Sequence, residues 1–189
     1  MPRLIVPLPE HWYSDVPGWS SVKDPRQDID HWETETGLSL PDDYRRFMIA
    51  FNGGCVYPDS FRHGVPRELS PHGGDATFVS HFYDWAIAER HWHGWIWGKA
   101  KPPDMIEIGC NPDGLSLFLS LRPADHGHVF CWVQEASIWG TEGNDRLWPQ
   151  APSFEAFLDT LYDEDGWVYH DWRLGLPPER RKLIQPLLF

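Results

Sequence analysis

Apolar residues recur at two different periods along this chain, and each period marks a different kind of element. Tyr44, Phe47, Met48 and Phe51 fall at i, i+3, i+4 and i+7, the single stripe of a half-buried helix. Leu40-Pro41-Asp42-Asp43 supplies a proline at its start and two acids in its first turn, where the helix dipole favours them. Asn52-Gly53-Gly54 predicts its end, since these residues tolerate positive φ. An earlier helix is predicted from Asp24 as N-cap, Pro25 at the first helical position and Gln27 placed for a capping box. Ile29 and Trp32 share one face of it, and Gly37 sits where a left-handed cap belongs. Asp84 is read as the cap of a third helix whose shared face holds Trp85, Ala88, Trp92 and Trp95. Ser153 caps a fourth, with Phe154, Phe157, Leu158 and Leu161, broken by Asp163-Glu164-Asp165-Gly166.

Between the third and fourth helices the period changes to two. Residues 105–110 read as a strand and Asn111-Pro112-Asp113-Gly114 as a turn; Leu115, Leu117, Leu119 and Leu121 then alternate, so one face of that strand is buried. Residues 123–127 turn again and 128–134 form the next strand, which together predict an antiparallel meander. Residues 76–83 read as a further strand, and the stretch from Cys55 to Gly74 as loop with little periodicity. Helices, then a meander, then a helix predict an α+β fold, a single domain in which an antiparallel meander sheet packs against helices. The division along the chain is an N-terminal strap at 1–23, an α+β domain at 24–165 and a C-terminal tail at 166–189 packed on it. The strap is rich in proline and irregular, with Trp12, Tyr13 and Trp19 available to pack, and the tail carries a short basic helix over 179–184.

Composition narrows the function more than the fold. The 189 residues suit one ordinary domain that needs neither metal nor disulfide to fold. Three cysteines, Cys55, Cys110 and Cys131, form no C-x-x-C pair and no even framework, so a reducing cytoplasm is expected. No apolar run approaches a membrane span, and no export signal is read at the N-terminus. A net charge of −12 repels nucleic acid and anionic membrane and favours a basic partner. The 12 tryptophans serve chiefly as core, with some available as interface anchors.

Ile29-Asp30-His31-Trp32-Glu33, Gly37, Leu40-Pro41-Asp42-Asp43-Tyr44-Arg45-Arg46-Phe47 and Asn52-Gly53-Gly54, in that order, resemble the opening of the SUKH superfamily. That superfamily includes bacterial immunity proteins against secreted toxins and fungal regulators of cell-wall glucan synthesis. Ile106-Glu107-Ile108-Gly109 with Gly114 and the leucine strand resembles its central hairpin, Gly127-His128-Val129-Phe130-Cys131-Trp132 its next strand, and Ser153-Phe154-Glu155-Ala156-Phe157-Leu158 its C-terminal helix. The long strap, an enlarged histidine- and tryptophan-rich insert at 55–100 and the tail depart from the pattern. The matching residues start, stop and fill elements, so the resemblance implies a scaffold and carries over no catalytic residue and no cofactor.

The chemistry-bearing clusters divide accordingly. His81, His91 and His93 cluster with Asp75 and Asp84, with His63 and His72 upstream; this is the raw material of a metal-dependent hydrolase. His91 and His93 on a helix point about 200° apart, however, and no H-E-x-x-H or paired-cysteine spacing accompanies them, so no metal site is assigned. Trp92, Trp95 and Trp97 cannot all face inward on one helix, which leaves Trp95 and Trp97 as candidate partner-binding residues. Asp163, Glu164 and Asp165 are the matching acidic candidates. The reading that results is an immunity protein that binds and neutralises a cognate toxin domain, expected to be basic and nuclease-like. The alternatives are a regulatory or scaffolding module akin to the cell-wall regulators and, behind it, the hydrolase.

Overall fold

The computed structural model describes residues 3–9, 24–70, 73–94, 101–111, 114–133, 145–163 and 169–189. In chain order its elements are β1 (Leu4–Val6), α1 (Arg26–Thr36), α2 (Asp42–Phe51), β2 (Cys55–Tyr57), β3 (Ser60–Arg62), β4 (Ala76–Phe78) and β5 (His81–Phe82). There follow α3 (Trp85–Trp92), β6 (Met105–Cys110), β7 (Leu115–Ser120), β8 (Val129–Val133), β9 (Trp148–Ala151), α4 (Phe154–Thr160), α5 (Tyr169–Gly175), α6 (Pro178–Arg181) and β10 (Gln185–Pro186). The class is α+β, as the periodicities predict.

The local stops and starts follow the side chains. Gly37 takes φ 68 and Asn52 φ 49 as left-handed caps of α1 and α2. Asp84 accepts a hydrogen bond from Ile87 N at 2.9 Å, and Ser153 accepts one from Ala156 N at 3.1 Å. The cap of α1 falls on Pro25, one residue later than expected, and carries no side-chain cap bond. Asp24 still accepts a hydrogen bond at 3.1 Å from the backbone N–H of Arg26, the first residue of α1.

The central sheet is antiparallel in the order β5-β6-β7-β8-β9. Phe118 lies opposite both Glu107 and Phe130, and Leu117 opposite Gly109 and Cys131, with a bulge between Glu107 and Gly109. Ile106, Ile108, Leu115, Leu117, Leu119, Val129 and Cys131 enter the main core, which α1, α2, α3 and α4 help to enclose. The other face is buried too: Met105, Phe118, Phe130 and Trp132 form a second cluster against which Leu147 packs, and Ser116 and Ser120 are equally hidden. The leucine alternation marked only the first of these faces, because Phe118 and the small serines between the leucines give no period-two signal of their own.

Two smaller sheets depart from expectation. Residues 55–62, read as loop, contribute β2 and β3, each too short at three residues to show alternation. The predicted strand over 76–83 is two strands in different sheets, β4 pairing with β3 and β5 with β6. The N-terminal stretch is not wholly irregular, since β1 is the middle strand of the sheet β10-β1-β2. The chain after α4 reaches back over long distances: Trp172 packs on Tyr57 at 5.4 Å, and Arg180 donates to Pro7 O at 2.7 Å. The basic helix expected over 179–184 is the shorter α6. Gly53 and Gly109 are where the segments touch most closely. A Cβ at Gly53 would lie 2.6 Å from Tyr83 O, and one at Gly109 2.7 Å from His81 O.

Phe47 stands at the centre of the aromatic core, with ring centroids 4.8 Å from Phe154, 5.6 Å from Phe82 and 5.6 Å from Phe189. It therefore joins α2, α4, β5 and the chain after β10 at one point. Replacing Phe47 with alanine is expected to cost about 3–5 kcal/mol, read as a lower urea midpoint. A loss under about 1 kcal/mol would show that this cluster does not hold the layers together.

Candidate interaction surface

Of the sequence-predicted partner residues, Trp95, Trp97, Glu164 and Asp165 lie outside the described residues. Asp163 lies within them and lines a cavity of about 370 Å³. Three element ends build this cavity: the start of β1, the turn after β2, and the chain leaving α4. Tyr162 N donates to Ser60 O at 2.9 Å, and Ser60 N donates to Tyr162 O at 3.3 Å; this two-way bridge holds the backbone one residue before Asp163. Pro58, Leu158 and Leu161 give apolar walls. On the polar side Arg3 pairs with Asp159 at 3.0 Å, with Asp159 68% exposed, while Asp163 Oδ1 is hidden from solvent and receives no hydrogen bond from the described residues.

The histidine cluster does not converge. Asp75 is taken by Arg62 at 2.6 Å, Asp84 is spent capping α3, and His93 is exposed at the end of that helix. His72 lies outside the described residues, and no group of three or more His, Cys, Asp or Glu side chains among those described is placed to hold a metal ion.

What the structure makes of His91 is a contact that periodicity could not reveal. Strand β5 covers only Gly109 and Cys110 of β6, so α3 packs along the rest of that edge. There His91 Nδ1 donates to Glu107 Oε2 at 2.5 Å, with the two side chains 4% and 1% exposed. The second oxygen of Glu107 meets no hydrogen-bond partner among the described residues. His81 lies nearby, its ring 5.3 Å from Tyr83, whose ring is in turn 4.8 Å from His91. Burial, helped by the positive charges of Arg180 and His91, lowers the His81 pKa to about 4. At the far end of α3, Lys101 lies 4.0 Å over the ring of Trp92 and donates to Met105 O at 3.2 Å. Burial lowers its pKa to about 8, against the pull of Asp104 and Glu107. Trp92 itself packs edge-on against Trp32, 5.2 Å away, so this indole serves the core boundary. The one sequence signal for the pair was a charged residue, Glu107, inside the apolar run of β6.

A family model for the SMI1 / KNR4 family (SUKH-1) matches residues 25–160, well over half of the chain. The chain belongs to this family. No curated protein matches it. The SUKH match begins at the first turn of α1 and ends with α4, so β1, α5, α6 and β10 lie outside it. The family includes toxin immunity proteins, and its members act through contacts with other proteins. Of the two acids lining the cavity at the end of α4, Asp163 follows the SUKH match by three residues and Asp159 falls within its last turn. No helix among the described residues is long and apolar enough to cross a membrane.

Two outcomes are expected of the buried edge. His91→Leu leaves Glu107 buried without its partner and costs about 3–5 kcal/mol, whereas His91→Leu/Glu107→Leu recovers most of that loss in urea titrations. A double variant no more stable than the single one would remove the pair from its assigned role. For His81 the fold favours the neutral ring, so the unfolded chain binds the extra proton between about pH 4 and pH 6.5. Stability contributed by His81 is therefore complete above pH 6.5 and lost as pH falls toward 4. The stability–pH profile of His81→Gln is expected to be flatter than that of the parent across that window; parallel profiles would contradict the assignment.

Proposed function

We propose that this chain is an immunity protein that binds a cognate toxin domain inside the producing cell and neutralises it by non-covalent occlusion. The observation that carries the reading is membership of a family containing toxin immunity proteins, in a chain with a net charge of −12. Much of that charge is free to act at a distance. The arginines Arg3, Arg26, Arg45, Arg46, Arg62 and Arg122 each already meet an acid, while Glu35, Asp42, Glu68, Asp104 and Glu179 are exposed and enter no ion pair among the described residues. A surface of this sign accelerates association with a basic target such as a nuclease and does so in a salt-dependent way. Glu89 of α3 reflects the crowding: burial raises its carboxyl pKa, His93 opposes the rise, and Asp28 and Glu35 of α1 add to it.

In this reading the acidic run Asp163-Glu164-Asp165 steers the partner, and the indoles of Trp95 and Trp97 anchor it. Self-protection needs a dissociation constant of about 1 nM or below. Co-expression with the toxin domain encoded beside the gene is expected to restore growth and to yield a complex that survives gel filtration. The association rate is expected to drop about tenfold or more between low and high salt. Trp95→Ala or Trp97→Ala is expected to weaken the complex by about 2 kcal/mol or more. Growth restored with no complex formed would count decisively against occlusion, and a salt-independent rate would count against a basic partner.

A further inference from the structure

We infer that the cavity beside Asp163 is a socket for one arginine side chain of the protein partner. The inference rests on the proposal that a basic protein is bound, and it names the chemistry of one contact. The charges lining the cavity sum to a single negative unit. Arg3 and Asp159 cancel at 3.0 Å, and Asp163 remains. Its Oδ1 is shielded from solvent and accepts no hydrogen bond from any described residue, a costly state for a carboxylate oxygen unless an incoming donor completes it.

The shape suits a long side chain with a charged end. At about 370 Å³ the space is at the lower end of small-ligand sites and exceeds what one side chain requires. Pro58, Leu158 and Leu161 offer apolar surface to a methylene stem. The ring of Tyr162 already carries Arg62, whose guanidinium lies 5.9 Å over it while engaged with Asp75 at 2.6 Å. Guanidinium fits these walls better than ammonium, because it is planar and more weakly hydrated, so entering a half-apolar cavity costs it less. The socket is also built on the ends of regular elements and pinned by the Ser60–Tyr162 bridge, which keeps it open without a partner.

The test uses the full chain and two probes. In an NMR titration, Nα-acetyl-arginine amide is expected to shift the amides of residues 158–163 and to bind at least tenfold more tightly than its neutral isostere Nα-acetyl-citrulline amide. Asp163→Asn is expected to remove that preference while leaving the thermal midpoint unchanged. Equal binding of the two amides, or shifts located elsewhere on the protein, would overturn the socket, and this comparison within the parent chain holds even if the variant fails to fold. The second probe is the toxin domain encoded beside the gene, for which Asp163→Asn is expected to weaken affinity about tenfold. Unchanged toxin affinity overturns the inference while leaving the immunity reading intact. A parent chain that binds the arginine amide at this site but not the toxin overturns the immunity reading instead, and the socket with it as a toxin contact.

Discussion

A sheet whose two faces are both apolar must be covered twice, and that requirement organises this molecule. Ile106, Leu117, Leu119 and Cys131 face one way, while Met105, Phe118, Phe130 and Trp132 face the other; all are buried. Four helices serve the first face. With the broad surfaces of the meander taken up by packing, polar groups on its strands must find partners inside. His91 and Glu107 do so across the edge that the two-residue strand β5 leaves to α3. Buried charge of this kind is tolerated where it is paired, and it ties the helix to one place along the strand.

The same economy governs the acids. Several do local work: Asp84 caps α3, Asp125 bonds to Arg122 and Ser120, and Asp30 and Glu33 both meet Arg45 across the α1–α2 junction. Asp43 joins two helices, accepting from Tyr44 N at 2.8 Å with one oxygen and from Glu155 N, at the start of α4, at 2.9 Å with the other. These contacts leave a surplus of negative charge on the exterior, where it can act on approach to a partner instead of on stability. Just after α4 one carboxylate oxygen, Asp163 Oδ1, is hidden and has no hydrogen-bond partner among the described residues. Function in a scaffold of this type is thereby displaced from the sheet to the ends of its elements, where surface geometry can vary without disturbing the core.

Much of the framework was legible one segment at a time. The stripe of α2, the left-handed caps at Gly37 and Asn52, the side-chain caps at Asp84 and Ser153, and the strands of the meander all rest on residues within a few positions of one another. Such signals survive in the sequence because the physics that produces them is local: a hydroxyl or carboxylate two or three residues from an amide, or an apolar group one helical turn from the next. The acidic composition was equally plain, and so was the ordered set of motifs that placed the chain in its family.

Tertiary structure alone decided what meets what. Leu4–Val6 becomes a central strand only because Cys55–Tyr57 and Gln185–Pro186 arrive on either side of it. The run from 76 to 83 serves two sheets because its halves find different neighbours, and three-residue strands carry too few positions to announce themselves. His91 reads as one histidine among ten until the fold sets it 2.5 Å from Glu107, and Asp163 reads as one acid in a run of three until Arg3, 160 positions earlier in the chain, is brought to the same cavity and cancelled by Asp159. Sequence carried what neighbouring residues do to one another; pairing across the chain depends on which apolar faces close together, and that is a property of the whole packed molecule.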